Sequence, residues 1–157
     1  MRVEYINPFV ESTFSILHEV LGAEVKRGEI YLKPTSTSID GVAALVGLAG
    51  DVEGRVLFDM TKETALHVAG IMNQETFTVL DDLAKATIQE LANMVTAQAV
   101  TKLHELGFKF DLTPPALFTG DNMEVASNMG EVEALIVPMM FADKKLEVNV
   151  AIRERIK

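Results

Sequence analysis

The sequence of 157 residues contains no cysteine. Disulfide bonds, thiolate zinc sites, iron–sulfur clusters and cysteine nucleophiles are therefore excluded. Histidine is scarce as well, with three residues, His18, His67 and His104. No two of them stand at metal-ligand spacing on one predicted helix, so we expect surface or helix-end positions for them. The sequence accordingly predicts no metal ion and no cofactor bound by this chain.

The chain also lacks a long hydrophobic run, although 48% of its residues are hydrophobic. No stretch reaches the roughly eighteen apolar residues that are needed to cross a bilayer. Residues 1–8 contain polar residues and a proline before any apolar run, which differs from a secretory signal. A chain of this length is typical of one domain. We expect a cytoplasmic protein in which residues 1–157 form one domain.

Basic residues are the minority charge, with 14 Lys and Arg against 23 Asp and Glu and a net charge of −9. The only short group of basic residues lies in the tail, 153–157. Because nucleic acids repel a protein of this charge, no nucleic acid is expected as a partner. No membrane partner is expected either, since a long apolar run is lacking.

Three segments show helical spacing of their apolar residues. The first covers residues 8–21, with Asn7 as the predicted N-cap and Gly22 as the stop. The second covers residues 61–72, and the third, residues 80–106, has the strongest pattern. The predicted buried side of the third helix comprises Leu80, Leu83, Ala84, Thr87, Ile88, Leu91, Met94 and Val95.

Other segments have the composition of β-strands separated by turn residues. An antiparallel hairpin is predicted from 42–48 and 54–60, and a second from 131–140 and 146–152 around a turn at 142–145. Further strand candidates are residues 25–33, 117–118 and 123–127. The order of elements predicts an α+β fold in which helices cover one face of a mainly antiparallel sheet.

Two polar residues of the third helix fall on one side of it, away from the apolar set. At about 100° per residue, Glu90 and Asn93 become neighbours, and Ala86 and Ala97 flank them. An asparagine amide offers one acceptor and two donors without titrating, so it can hold a water molecule in line with an electrophile. By spacing alone, such a pair also arises by chance on a solvated helix face.

The wider sequence around this pair carries a family resemblance. Residues 88–97 read Ile-Gln-Glu-Leu-Ala-Asn-Met-Val-Thr-Ala, and residues 113–115 read Thr-Pro-Pro. An Asn-Pro-Phe sequence occupies residues 7–9, and a glycine-flanked hairpin region occupies residues 47–54. Together these segments resemble the CheC/CheX/FliY phosphatase family, and most closely its CheX members.

This resemblance implies hydrolysis of the aspartyl phosphate of a CheY-like response regulator. It implies that Asn93 orients the attacking water and that Glu90 pairs with the regulator's active-site lysine. Mg²⁺ is then expected in the regulator and not in this chain. The resemblance also implies a homodimer that is joined through its sheets.

Some members of the family carry a second Glu-x-x-Asn motif near the amino terminus, and Glu4 and Asn7 have this spacing here. Because Pro8 disfavours helical geometry at the residue before it, we expect Asn7 to cap the first helix and Glu4 to lie outside it. One active motif is therefore predicted. Residues 17–22 resemble residues 103–107, which leaves an ancient duplication open.

Two other functions fit the sequence. A CheX-like domain could bind a receiver domain without accelerating hydrolysis, and tight binding with an unchanged phosphate lifetime would favour this interpretation. A purely structural dimer that assembles through an open sheet edge would show no receiver binding at all.

Overall fold

A computed structural model describes residues 3–34, 37–121, 123–125 and 133–155. In these residues three helices pack on one face of an antiparallel sheet of eight strands, which confirms the predicted α+β fold. The elements in chain order are α1 (Val3–Leu21), β1 (Lys26–Arg27), β2 (Tyr31–Pro34), β3 (Thr37–Ser38), β4 (Val42–Gly50), β5 (Val52–Met60), α2 (Lys62–Asn73), α3 (Asp82–Glu105), β6 (Phe110–Leu112), β7 (Ala116–Thr119), β8 (Glu124–Val125), β9 (Glu133–Phe141) and β10 (Lys144–Glu154).

The sheet is built around the antiparallel pair β5 and β10, which run side by side from Met60 opposite Leu146 to Val52 opposite Glu154. The hairpin partner of each strand lies outside it, so that β4 flanks β5 and β9 flanks β10. Both predicted hairpins are confirmed. The short strands β6 and β7 pair with β4, whereas β1 and β2 pair with β9. The two smallest strands, β3 and β8, form a separate pair.

The main core lies between this sheet and the helices. Along β5 the side chains alternate, so that Val56, Phe58 and Met60 face the helices while Leu57 packs on the opposite face. Burying a side chain of this size contributes about 1.5–3 kcal/mol. The largest fully buried side chains are Tyr5, Phe9, Leu17, Leu57, Met60, Ile88, Leu103, Ile136, Met139, Leu146, Ile152 and Val42.

Polar side chains fix the starts of α2 and α3. Thr61 accepts a hydrogen bond from the backbone N–H of Thr64 at 3.2 Å, and Asp81 accepts one from Ala84 at 2.8 Å. Each satisfies a backbone donor that the first turn of a helix leaves free. Among the described residues, no helix has the length and apolar content that a membrane span requires.

The start of α1 corrects the sequence-based prediction. Asn7 does not cap the helix, because α1 begins at Val3 and contains Glu4, Asn7 and Pro8. A proline inside a helix costs about 3 kcal/mol, since it removes an N–H donor. The residues before it offset this cost: Tyr5 and Ile6 are 1% and 7% exposed, and such burial contributes roughly 1.5–3 kcal/mol each.

The short strands differ in detail from the sequence-based predictions. The segment 25–33 forms two short strands rather than one, with residues 28–30 between them. Strand β6 was not predicted; it pairs with β4 where Gly50 lies opposite Phe110, so close that a Cβ on Gly50 would come within 2.5 Å of the Phe110 backbone. Parts of the predicted strands 123–127 and 131–140 lie outside the described residues.

Candidate active site

The polar pair predicted on the third helix lies together on the exposed side of α3. Glu90 and Asn93 are both exposed, and so are Ala86 and Ala97 above and below them. We call these four residues the α3 stripe. The opposite side of the helix is buried in the core through Ala84, Ile88, Leu91, Ala92, Val95, Ala99 and Leu103. The amphipathic pattern therefore placed the motif correctly.

Leu83 corrects the same prediction, because it was expected in the core and is 47% exposed. It stands seven residues before Glu90, which at 100° per residue brings it within about 20° of Glu90 around the helix. Val79, in the segment before α3, is 60% exposed. The α3 stripe thus continues at its amino-terminal end into exposed apolar surface.

A hydrogen bond between α3 and the Thr-Pro-Pro turn holds the stripe in position. The Gln89 side-chain amide donates a hydrogen bond to the Pro115 carbonyl at 3.2 Å. The same turn is fixed to β4, because the Gly47 N–H donates to the Thr113 hydroxyl at 2.8 Å and the Thr113 N–H donates to the Gly47 carbonyl at 3.0 Å. The Thr-Pro-Pro turn therefore connects the motif helix to the sheet.

The two motif side chains are available to another molecule. Among the described residues, neither Glu90 nor Asn93 uses its side chain in a hydrogen bond or ion pair with the rest of the chain. An exposed carboxylate can pair with a cation, while the amide next to it can position a water molecule. Alanines on both sides leave room for a partner's backbone to approach. The arrangement suits a protein partner that supplies the electrophile.

A second polar cluster lies on the face of the sheet away from the helices. Asp59 on β5 and Glu147 on β10 stand directly opposite each other, and carboxylate oxygens of these two and of Asp40 lie within 4.8 Å of one another. The Asp40 N–H donates to Asp59 Oδ1 at 2.9 Å, and the Tyr31 hydroxyl donates to the Glu147 carboxylate. No pattern in the sequence indicates that these residues meet, because the register between β5 and β10 decides it.

Burial governs the protonation of Asp59. It raises the pKa of Asp59 to about 6, and Asp40 and Glu147 add to the effect, opposed by the Asp40 N–H and by Lys33. Burial also raises the pKa of Tyr31, together with its hydrogen bond to Glu147. Carboxylates in such a group are ligands of the kind that Mg²⁺ and Ca²⁺ prefer. Here the Asp40 N–H and the Tyr31 hydroxyl already occupy part of their hydrogen-bonding capacity.

The histidines are as scattered as the sequence predicted. His18 and His104 are exposed near the ends of α1 and α3, and His67 stacks on Phe141 with ring centroids 6.4 Å apart. In the described part of the chain, none of them joins a group of possible metal ligands.

Comparison with known proteins agrees with this architecture. The family model for the chemotaxis phosphatase CheX matches residues 42–150. The CheY-P phosphatase CheX of Thermotoga maritima is 28% identical over 158 aligned positions, which cover 98% of each chain. The crystal structure of the CheX–CheY–BeF₃–Mg²⁺ complex from Borrelia burgdorferi contains a chain that is 46% identical, with a TM-score of 0.84 over 98% of this chain and 100% of that one.

A CheC-like superfamily protein from Shewanella sp. PV-4 has a TM-score of 0.86 at 25% identity, over 98% of this chain and 99% of that one. The family model spans well over half of the sequence and includes the whole of α3. The resemblance read from the Glu-x-x-Asn helix and the Thr-Pro-Pro turn is thereby confirmed. The chain belongs to the CheX family of chemotaxis phosphatases.

Proposed function

We propose that this chain hydrolyses the aspartyl phosphate of a CheY-type receiver domain, acting as a cytoplasmic enzyme in which residues 1–157 form one phosphatase domain. The observation that carries the proposal is the exposed pair Glu90 and Asn93 in the middle of α3. The named relatives point the same way, since one is a CheY-P phosphatase and another is crystallised with CheY, BeF₃ and Mg²⁺.

Asn93 enters the receiver's active site and orients the attacking water. The water oxygen forms a bond to phosphorus while the bond from phosphorus to the aspartate oxygen breaks. The products are inorganic phosphate and a free aspartate carboxylate. An amide suits this task because it accepts and donates hydrogen bonds without changing charge. The receiver's own Mg²⁺ stabilises the negative charge, and this chain contributes no cofactor.

Glu90 anchors the complex by pairing with the active-site lysine of the receiver. Its position three residues before Asn93 places both side chains on one face of α3, so one docking event brings both into the partner's site. The Gln89–Pro115 hydrogen bond keeps that face in a fixed position relative to the sheet. Positioning of this kind lowers the entropic cost of the reaction.

We also propose that the chain forms a homodimer through a sheet edge. Strand β2 pairs with β9 on one side, and it carries Tyr31 and Leu32, which are 37% and 57% exposed. Ile30, just before the strand, is 52% exposed. An edge strand with apolar side chains is a surface on which a second copy can pair.

The experiment is to measure the lifetime of a phosphorylated receiver domain from the same genome, with Mg²⁺, with and without catalytic amounts of this protein. We expect faster loss of phosphate with the wild-type chain and no acceleration with Asn93→Ala. The matched control is Glu105→Ala, because Glu105 is also an exposed glutamate of α3 and lies twelve residues after Asn93. Tight receiver binding with an unchanged phosphate lifetime would support the non-catalytic binding module instead.

A further inference from the structure

We propose that Thr96 is a positioning residue for the reaction: its hydroxyl holds the backbone on both sides of Asn93 and so aims the Asn93 amide. This inference rests on the proposed function. Thr96 lies one turn after Asn93 on α3 and is 3% exposed, whereas Asn93 is exposed. Thr96 therefore lies beneath the docking surface, and its effect on the reaction passes through another residue.

The Thr96 hydroxyl lies close to two backbone carbonyl groups. Its Oγ1 is 2.8 Å from the carbonyl oxygen of Ala92 and 3.2 Å from that of Asn93. The Ala92 carbonyl belongs to the peptide group that precedes the Asn93 Cα, and the Asn93 carbonyl belongs to the one that follows it. Because these two planar groups set the direction of the Cα–Cβ bond between them, one hydroxyl influences where the Asn93 side chain points.

The chemistry of threonine favours this arrangement. Its branched Cβ restricts rotation about χ1, and in a helix its hydroxyl bonds the carbonyl three or four residues earlier. Here those positions are Asn93 and Ala92. Burial restricts the side chain further, because interior side chains are closely packed. The hydroxyl is thus a fixed donor on the buried side of the motif.

A donor at this place opposes a distortion that is common on the exposed side of helices. Carbonyl groups on the solvent side tilt outward toward water, which lengthens their helical hydrogen bonds and curves the helix. Asn93 lies on that side, and the Thr96 hydroxyl attracts its carbonyl from the other. A group that takes part in a reaction has to be held within about 0.5 Å of its productive position. A small tilt of this turn would therefore lower the effect of the Asn93 amide.

Thr87, another buried threonine of α3, shows what is particular to Thr96. Thr87 also donates to the carbonyl four residues earlier, that of Leu83, at 2.8 Å. In addition it accepts a hydrogen bond from the Asn73 side chain at 2.8 Å, so it joins α2 to α3. Among the described residues, the Thr96 hydroxyl has partners inside α3 alone. Its contribution is to the backbone around Asn93 and not to the packing of one helix on another.

The first experiment measures kcat and KM for receiver dephosphorylation by the full-length chain and by Thr96→Val, which keeps the shape of the side chain and removes the hydroxyl. We expect kcat to fall about three- to tenfold, since misplacing a reacting group by about 1 Å costs roughly 100-fold. KM should stay within about twofold, because the docking surface is unchanged. Thr96→Ser restores the hydroxyl and should recover about half of the wild-type kcat or more.

The matched control is Thr13→Val in α1. Thr13 is 1% exposed and donates to the Phe9 carbonyl at 2.6 Å, so the change removes a buried hydroxyl of the same kind at a distance from the motif. It should leave kcat and KM unchanged.

Thermal unfolding separates positioning from stability. Thr96→Val should unfold at a higher temperature than Thr96→Ser, because valine fills the core whereas serine leaves a methyl-sized cavity. The faster variant is then the less stable one, which a purely structural role does not produce. If circular dichroism shows that Thr96→Val is unfolded, Thr96→Ser is compared with Thr96→Ala, since both lack the methyl group and serine alone has the hydroxyl. Serine should then give the higher kcat by about three- to tenfold.

Three results would overturn the role of Thr96 while leaving the function of α3 intact. They are a wild-type kcat in Thr96→Val, a loss in Thr96→Ser as large as that in Thr96→Val, and a loss that appears in KM instead of kcat. An equal loss in Thr13→Val would also overturn it, because the effect would then follow from any buried hydroxyl. Absence of acceleration by the wild-type chain would instead overturn the proposed function.

Discussion

Helices α1 and α3 present the same two polar residues on equivalent exposed faces, but in different surroundings. In α3 the motif begins eight residues after the helix start, whereas in α1 it begins one residue after the helix start. Asn93 is followed by Met94, whereas Asn7 is followed by Pro8. Four residues after the asparagine, α3 has the small Ala97 and α1 has the charged Glu11. The comparison teaches that two side chains alone do not make a site, because a functional group also needs rigid and uncrowded surroundings, and these are found around the pair on α3.

The largest expected effect separates the two asparagines. Asn93→Ala should lower kcat/KM for receiver dephosphorylation by about 100-fold or more, because removal of one positioned hydrogen-bonding group in an active site typically costs that much. Asn7→Ala in an otherwise wild-type chain should change it less than about twofold, because the proposed site lies on α3 and not on α1. Steady-state phosphate release measures both, and equal losses in the two variants would erase the distinction between the helices.

A change on the face of the sheet away from the helices should affect stability and leave the proposed site on α3 unchanged. The pKa of Asp59 rises from 3.8 in its ordinary state to about 6 in the folded protein. Between those values the folded state holds a proton that the unfolded chain has lost, so stability falls as the pH rises from about 4 to 6 and stays lower above that.

Asp59→Asn should therefore stabilise the protein at pH 7.5 by up to about 3 kcal/mol and by much less at pH 4. The asparagine oxygen can still accept the hydrogen bond from the Asp40 N–H. Urea unfolding at the two pH values measures the effect, and receiver dephosphorylation by the folded variant should be unchanged. A destabilised variant at pH 7.5 would show that the ionised carboxylate is needed in the fold.

Glu90→Ala should mainly weaken docking. We expect KM to rise about tenfold with a smaller change in kcat, because the variant leaves the receiver's lysine unpaired in the complex while Asn93 remains in place. Glu4→Ala should change KM less than about twofold. Kinetics at several salt concentrations provide the check, since loss of an ion pair should also reduce the salt dependence. An unchanged KM would remove Glu90 from the interface.

Leu83 tests the apolar extension of the α3 stripe. Leu83→Ser should weaken receiver binding about three- to tenfold. Truncating a leucine that becomes buried at an interface typically costs about 1 kcal/mol of binding free energy. The free energy of unfolding should change little, because this side chain is already 47% exposed in the isolated chain. Calorimetric titration with activated receiver decides it, with Glu105→Ala as the control on the same helix.

Much of this architecture was predictable because the local signals are strong. Apolar residues at helical spacing located α3, and Thr61 marks the start of α2. The two hairpins follow from strand-like runs around turn residues. The placement of Glu90 and Asn93 on one exposed face followed from the same spacing. Their chemical roles came from family resemblance and remain predictions.

The features that were missed depend on long-range packing. The conformational preference of the residue before a proline predicted a helix that starts after Asn7, whereas α1 starts at Val3. That preference takes no account of the free energy gained by burying Tyr5 and Ile6. Strand β6 pairs with β4 where Gly50, which has no side chain, allows the Phe110 backbone to approach closely. Asp59 lies next to Glu147 only because of the register between β5 and β10. In both cases the residues that meet are far apart in the chain, so local sequence patterns cannot predict the contact.

The central claim is that Asn93 acts on the chemical step after docking. It is tested most directly by single-turnover decay of a phosphorylated receiver mixed with saturating wild-type or Asn93→Ala protein, because saturation removes differences in affinity. The account predicts rapid decay with the wild type. For the variant it predicts an acceleration over the receiver's own rate that is no more than a few per cent of the wild-type acceleration. Equal rates for the two proteins at saturation would contradict it.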